Sequence, residues 1–173
     1  MSHADPVALL AALRERGWSI GVAESLTGGL VVSTLVDVPG ASASVRGGVV
    51  AYDTALKASL LGVDPELLAE HGPVHPEVAR QMADGVRRAM AVDGEPADVG
   101  VATTGIAGPD SPDGQRIGTV HIGVATPEAI SVTSWVFAGD RAAVREAARA
   151  QAILDLSIAV APPAAALPGV SRA

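Results

Sequence analysis

The sequence predicts an α/β fold: three layers, α/β/α, around a mixed sheet of about five strands. Short runs rich in Val, Ile and Thr alternate with segments of helical period along most of the chain. The last two strand-like runs follow each other directly across Pro127-Glu128-Ala129, which implies an antiparallel hairpin and hence a mixed sheet. A chain of 173 residues with 49% apolar composition suits one domain that buries a real core. Only 2% of residues are aromatic, so Ala, Val, Leu and Ile must fill that core. With no internal repeat and no linker composition, one domain is expected over residues 1–161. The Ala/Pro-rich stretch 162–173 is expected to be a flexible tail.

The elements follow in order. Residues 4–17 read as a helix stopped by Gly17, and residues 18–23 as a short buried strand. A turn at Ser25 leads into a helix that winds from Gly28-Gly29 to about Asp37 and breaks at Val38-Pro39-Gly40. Arg46-Gly47-Gly48-Val49-Val50-Ala51-Tyr52 reads as the second strand. Residues 54–61 read as a helix stopped by Gly62. Asp64-Pro65 opens a short helix as N-cap and first helical residue, and residues 76–91 carry helical periodicity. The third strand is expected at 98–104, running into the loop 105–116. The hairpin strands are expected at 117–126 and 130–137, and Asp140 is expected to cap a last helix to about Val160.

Composition excludes several functions. A net charge of −7 opposes general nucleic-acid binding, which needs a basic face, but leaves room for one pocket that holds a single phosphate. No cysteine means no disulfide, thiol nucleophile or cysteine-bound metal. The apolar run at 7–13 is short and lies between Asp5 and Arg14-Glu15, so an amphipathic helix is expected there and not a signal peptide. No run approaches the roughly 20 residues of a membrane span. A cytoplasmic protein without a membrane partner is the expectation.

Ser25 is the first chemical candidate. A serine at a strand-to-helix turn can expose its hydroxyl beside the N–H groups and positive end of the helix, which stabilise an oxyanion or hold a phosphate. Most serines ahead of a helix are only its N-cap, and the local pattern alone favours that reading. A nucleophilic serine needs a base, and none of His3, His71, His75 or His121 lies in a triad setting. Lys57 is the only lysine in the chain. Burial can lower a lysine pKa until it serves as a base, which arginine cannot do. A Ser–Lys pair is a known variant of serine nucleophile chemistry. The loop Thr104-Gly105-Ile106-Ala107-Gly108-Pro109-Asp110 follows a strand end, where open α/β sheets build their binding crevice.

A resemblance rests on motifs that occur in order: Ala23-Glu24-Ser25-Leu26-Thr27-Gly28-Gly29, Val38-Pro39-Gly40-Ala41-Ser42, Arg46-Gly47-Gly48-Val49-Val50-Ala51-Tyr52, Lys57, Leu61-Gly62-Val63, His71-Gly72-Pro73-Val74, Thr104-Gly105-Ile106-Ala107-Gly108-Pro109, Gly118-Thr119-Val120 and Gly139-Asp140-Arg141. In these, residues 5–158 resemble the CinA C-terminal domain family, the nicotinamide-nucleotide amidohydrolases. The resemblance implies a three-layer fold, commonly a homodimer, and hydrolysis of the carboxamide of nicotinamide mononucleotide to nicotinate mononucleotide and ammonia. It matches Ser25 to the family's nucleophile, Lys57 to its partner lysine, Tyr52 to the tyrosine closing the second strand and Thr104 to the hydroxyl residue opening the third glycine loop. It also implies that larger members carry an N-terminal pyrophosphatase domain, and no counterpart is expected in this chain. Leu26 stands where the family commonly has cysteine, Asp53-Thr54 where it has Ser/Thr-Asn, His75 where it has serine, and Gln115-Arg116-Ile117 where Lys-Pro-Val is frequent.

The resulting expectation is that Ser25 attacks the carboxamide carbon, with Lys57, or Tyr52 relaying from it, moving the proton. N–H groups of Thr27, Gly28 and Gly29 would hold the oxyanion. Gly105, Gly108 and Arg141 or Arg145 would meet the ribose and phosphate. No cofactor and no metal are expected; Asp110-Ser111-Pro112-Asp113 is the one stretch whose carboxylates suit a hard cation, and it reads better as a solvated turn. A catalytically silent nucleotide-binding module and a Ser–Lys amidase for another amide use the same loops and stay open.

Overall fold

The computed structural model describes residues 5–111 and 114–161. Five strands form one sheet in the order β2-β1-β3-β4-β5. These are β1 (Ile20–Glu24), β2 (Val45–Val50), β3 (Val99–Gly105), β4 (Thr119–Ala125) and β5 (Ile130–Val136). β1 pairs parallel with both β2 and β3, while β3–β4 and β4–β5 are antiparallel. The sheet is therefore mixed, and the fold is the three-layer α/β arrangement read from the sequence.

Helix boundaries follow their caps. In α1 (Pro6–Arg16) the Asp5 carboxylate accepts from the Val7 N–H, and Gly17 ends the helix at φ 66°. Asp53, Asp64 and Asp140 cap α3 (Thr54–Leu61), α4 (Pro65–His71) and α6 (Arg141–Val160) in the same way. His75 caps α5 (Pro76–Ala89) with Nδ1, which accepts from the Glu77 N–H at 3.2 Å. That is the capping work a serine performs elsewhere.

The strand ends differ from expectation at two places. β4 begins at Thr119 and not at Ile117, because Gly118 turns the chain at φ 90° and donates its N–H to the Ile106 carbonyl at 2.8 Å. β2 ends at Val50, so Tyr52 lies two residues past it and is 59% exposed.

Two cores lie on opposite faces of the sheet. Val22, Val101 and Ile122 face a cluster built with α1, α2 (Leu30–Val36) and α6. Ala23, Ala102 and Ala125 face a smaller-residue cluster with Leu61, Val78, Met82 and Val86. On that second face the alternation places glycine under α5. A Cβ at Gly100 would lie 2.0 Å from the Ala83 carbonyl oxygen, and one at Gly123 would lie 2.3 Å from that of Ala79. The close seat of α5 thus requires bare backbone beneath it, and it sets where the α4–α5 junction meets the end of β3.

Candidate active site

The sequence leaves β1 at a buried carboxylate and turns at once. Glu24, 1% exposed, bends back over the start of α2. Its Oε2 accepts from the N–H groups of Gly29 (2.8 Å) and Val31 (3.2 Å), and its Oε1 from that of Val32 (2.9 Å). These are groups that a helix start leaves without partners, and the negative charge sits at the positive end of α2. On the other side of the turn, Arg145 of α6 donates Nε to the Leu26 carbonyl (2.9 Å) and Nη2 to the Thr27 carbonyl (3.0 Å). Two opposite charges therefore hold the turn that carries Ser25.

Ser25 continues the sheet by donating its N–H to the Thr103 carbonyl at 3.1 Å. Its Oγ lies 3.2 Å from Nζ of Lys57, which projects from α3. Lys57 is 1% exposed and also donates to the Ala51 carbonyl at 2.7 Å. No carboxylate forms an ion pair with it among the described residues. Burial lowers its pKa from 10.5 to about 8, with the Asp53 charge opposing the shift. A serine hydroxyl beside an amine that can be neutral near pH 8 is the arrangement of a nucleophile and its base.

The pair opens into a cavity of about 280 Å³. Ser25, Lys57, Tyr52, Thr104, Gly105, Gly108 and Arg141 all line it. Arg141, at the start of α6, donates to the Gly108 carbonyl (2.8 Å) and to the Tyr52 hydroxyl (3.0 Å). Thr104 Oγ1 donates to the Pro73 carbonyl at 2.7 Å, joining the end of β3 to the α4–α5 junction.

A family model for the CinA C-terminal domain matches residues 5–160. The chain belongs to this family. It is 47% identical over 148 residues to a CinA-like protein of Frankia casuarinae, covering 86% of this chain and 33% of the relative. It is 44% identical over 156 residues to a CinA-like protein of Anaeromyxobacter dehalogenans, covering 90% of this chain and 37% of the relative. The chain thus spans about a third of the length of these curated relatives. A crystal structure of a competence-damaged protein (CinA) superfamily member from Klebsiella pneumoniae superposes with a TM-score of 0.83 at 30% identity, covering 90% of this chain and 94% of that one.

Within this CinA domain, several expected site residues sit elsewhere than the cavity. Thr27 is buried, with its Oγ1 2.7 Å from Thr103 Oγ1, and does not line the cavity. The Gly28 N–H donates to the Ser25 carbonyl at 3.1 Å and the Gly29 N–H to Glu24, so neither is free for an oxyanion. The N–H groups of Leu26 and Thr27 have no acceptor among the described residues. Arg145 is spent on the turn and does not line the cavity, which leaves Arg141 as its arginine. Tyr52 reaches the cavity but bonds Arg141 and makes no hydrogen bond to Ser25 or Lys57.

Other participants were not singled out from the sequence. Glu24 was legible only as part of the motif, although an acidic residue just ahead of a helix start is a recognised signal. Leu26, Pro73, Val74 and Asp110 line the cavity as well. His71 and His75 stack at 4.7 Å between ring centroids, and His121 Nδ1 lies 2.8 Å from Ser134 Oγ. Among the described residues no group of three or more His, Asp or Glu is placed to hold a metal ion, and no helix is long and apolar enough to cross a membrane. His3, Pro112, Asp113 and the tail 162–173 lie outside the described residues.

Proposed function

We propose that this chain hydrolyses the carboxamide of nicotinamide mononucleotide to nicotinate mononucleotide and ammonia, with Ser25 as nucleophile and Lys57 as base. The observation that carries the reading is a buried lysine with no ion pair among the described residues, 3.2 Å from a serine hydroxyl at the wall of a cavity. With a pKa of about 8, roughly a tenth of Lys57 is neutral at pH 7, and that fraction can take a proton.

Ser25 Oγ bonds to the carboxamide carbon as its proton passes to Lys57 Nζ. The carbonyl oxygen becomes an oxyanion, held by the N–H of Leu26, which lines the cavity and has no acceptor among the described residues. Collapse breaks the C–N bond, and Lys57 returns its proton to the leaving nitrogen, releasing ammonia. Water then attacks the ester, with Lys57 taking its proton and giving it back to Ser25 Oγ. The product acid ionises in solution. Arg141 and the Gly105–Gly108 stretch bind the phosphate and ribose, so binding energy away from the amide supports the chemical step. The Tyr52 hydroxyl, bonded to Arg141, orients that arginine and carries no proton in this scheme.

The deciding measurement is ammonia release from nicotinamide mononucleotide, from nicotinamide riboside and with Ser25→Ala. The expected result is turnover of the mononucleotide, a kcat/KM for the riboside lower by about tenfold or more, and a loss of at least about 10³-fold in Ser25→Ala with the unfolding temperature retained. Equal rates on both substrates would remove the phosphate site. No release from either, with Ser25 still labelled by a fluorophosphonate, would point to a different amide. Neither release nor labelling would leave a nucleotide-binding module.

A further inference from the structure

Thr104 lines the cavity with Ser25 and has no part in the scheme above. Like Lys57, it is almost wholly buried and yet forms part of the cavity wall. The sheet puts Thr104 and Ser25 side by side. β1 and β3 run parallel, with Ala23 opposite Ala102. The Ser25 N–H donates to the Thr103 carbonyl at 3.1 Å, so the ladder continues past the strand end and sets Ser25 opposite Thr104. Alternation then turns both side chains to the face that Ala23 and Ala102 share, where Lys57 meets Ser25 Oγ. On its other side Thr104 pairs with His121 of β4, which fixes its place in the sheet.

The direction of its hydrogen bond decides what Thr104 can read. Its Oγ1 lies 2.7 Å from the Pro73 carbonyl oxygen, and a carbonyl can only accept. The one hydrogen of the hydroxyl is therefore committed to Pro73. Turning it to a ligand would leave that carbonyl without its partner. Two lone pairs remain on Oγ1, and no donor among the described residues takes them. Leu26, also in the cavity lining, offers the reverse: an N–H with no acceptor among the described residues. A primary carboxamide accepts at its oxygen and donates at its nitrogen, so it matches this pair in one orientation only. The reach is right as well. A carbonyl carbon about 3 Å from Ser25 Oγ carries its nitrogen about 1.3 Å away. That nitrogen falls within hydrogen-bond distance of an oxygen one strand spacing, about 4.8 Å, from Ser25.

We propose that Thr104 is the residue that selects a carboxamide in this cavity: its hydroxyl oxygen, with its hydrogen given to Pro73, accepts from the substrate's NH2 and disfavours the product's carboxylate. The proposal deepens the amidase reading and rests on it. Lys57 and Arg141 line the same cavity and attract any carboxylate, so release of the acid product needs an acceptor that opposes them. A carboxylate brings only acceptors to Thr104, and an ester brings no hydrogen either. A site that holds a hydrogen-bonding group for an N–H discriminates against the analogue that lacks it.

The experiment uses the whole chain with Thr104→Val, Thr104→Ser and Thr104→Ala. Each is assayed on nicotinamide mononucleotide and on the methyl ester of nicotinate mononucleotide, with nicotinate mononucleotide as the inhibitor. Thr104→Val is expected to lower kcat/KM on the amide by about tenfold, the worth of one neutral hydrogen bond, and to leave the ester within about twofold of wild type. The inhibition constant of nicotinate mononucleotide should fall by about threefold or more, because lone pairs no longer face its carboxylate. Thr104→Ser keeps the hydroxyl and should keep the wild-type preference for the amide. Should Thr104→Val fail to fold, Thr104→Ala is read in the same way. Losing the tie to Pro73 would disturb the cavity for every ligand alike. Equal losses on amide and ester, with weaker binding of the acid, would therefore make Thr104 a structural residue and overturn the proposal. So would an amide-to-ester ratio that does not change. A wild type that hydrolyses the ester and not the amide would overturn the proposal while keeping Ser25 as nucleophile. A wild type that turns over neither would overturn the functional reading, and the proposal with it.

Discussion

Two glycine-containing turns meet at the cavity, and they are held in different ways. The Ser25 turn is gripped from inside the protein. Glu24 takes its N–H groups, Arg145 takes its carbonyls, and Thr27 bonds Thr103 in the buried sheet end. The stretch from Gly105 to Gly108 is held mainly at one edge: the Ile106 N–H donates to the Thr119 carbonyl and the Gly118 N–H to the Ile106 carbonyl, both at 2.8 Å. Beyond Ile106, its tie is Arg141 donating to the Gly108 carbonyl. The first turn is held by charged side chains, and the second mainly by backbone pairing. Under the proposed function, the contrast fits pre-organised chemistry at the first turn and adaptable binding at the second.

The largest expected effect tests that contrast through stability. Glu24→Ala strips acceptors from three N–H groups of α2 and removes the charge at its positive end. Each unsatisfied N–H costs about 1–3 kcal/mol, less where water can enter at the half-exposed Gly29 and Val32, so a loss of about 3 kcal/mol or more is expected. On the other side, Arg141→Met removes the side-chain tie of the second turn, to the Gly108 carbonyl at 2.8 Å, with the exposed bond to the Tyr52 hydroxyl, and should cost about 1 kcal/mol or less. Urea unfolding of both variants decides it. Equal losses would show that the two turns are held equally.

Lys57→Met should separate stability from activity. A lysine whose pKa falls from 10.5 in the unfolded chain to about 8 when folded binds more protons unfolded, so stability rises with pH across that window. Below about pH 8 the folded state carries the full penalty, on the order of 3 kcal/mol. Methionine keeps the apolar stem and removes the charge, at the cost of the donor to the Ala51 carbonyl, about 1 kcal/mol. The variant should be inactive and yet more stable than wild type at pH 7 by about 1–2 kcal/mol, with the advantage gone near pH 10. A variant less stable at pH 7 and unchanged by alkali would mean that Lys57 is an ordinary charged lysine. His121 works at the other end of the scale. Burial first, and His75 second, hold its pKa below the usual value, so it contributes a loss of stability as pH falls below about 6.5.

What the sequence made legible divides along physical lines. Helix ends were readable at Asp64, Asp140, Gly17 and Gly62 because these act within a few residues of themselves, while the caps made by Asp5 and Asp53 emerged only from the structure. Ser25 and Lys57 were readable as types, one at a strand–helix turn and one the only lysine. Their 3.2 Å meeting across 32 residues depends on β1 and β2 lying parallel, with α3 folding back from the end of β2. Thr27 was expected to offer its N–H to an oxyanion, but its side chain bonds Thr103 of β3, a partner 76 residues away, and the residue is buried outside the cavity lining. The division of labour between Arg141 and Arg145 was not readable, since a shared helix face says nothing of where that face crosses the Ser25 turn. Ile117 was read into β4 on its hydrophobicity, and the positive φ of Gly118 overrules it.

The smallest expected effect concerns Asp53, which stands where the family pattern has a Ser/Thr. Its carboxylate caps α3 by accepting from the Ala55 N–H at 2.8 Å, and its charge raises the pKa of Lys57 against the larger effect of burial. Asparagine caps a helix about as well as aspartate, so Asp53→Asn removes the charge and keeps the cap. The Lys57 pKa should then move further down, because the Asp53 charge that favours its protonated form is gone. Asp53 is exposed, so solvent and salt weaken the interaction, and the shift should be roughly a few tenths of a pH unit. A base active when neutral then gains: the kcat/KM profile, rising with pH around 8 in wild type, should move slightly to acid, and activity at pH 7 should increase by up to about twofold. The shift should shrink at high salt, which distinguishes a charge effect from a change of shape. A midpoint that moves to alkali, or that keeps its displacement in 1 M salt (where the Debye length is about 3 Å), would mean that Asp53 acts on the site through the position of α3 and not through its charge.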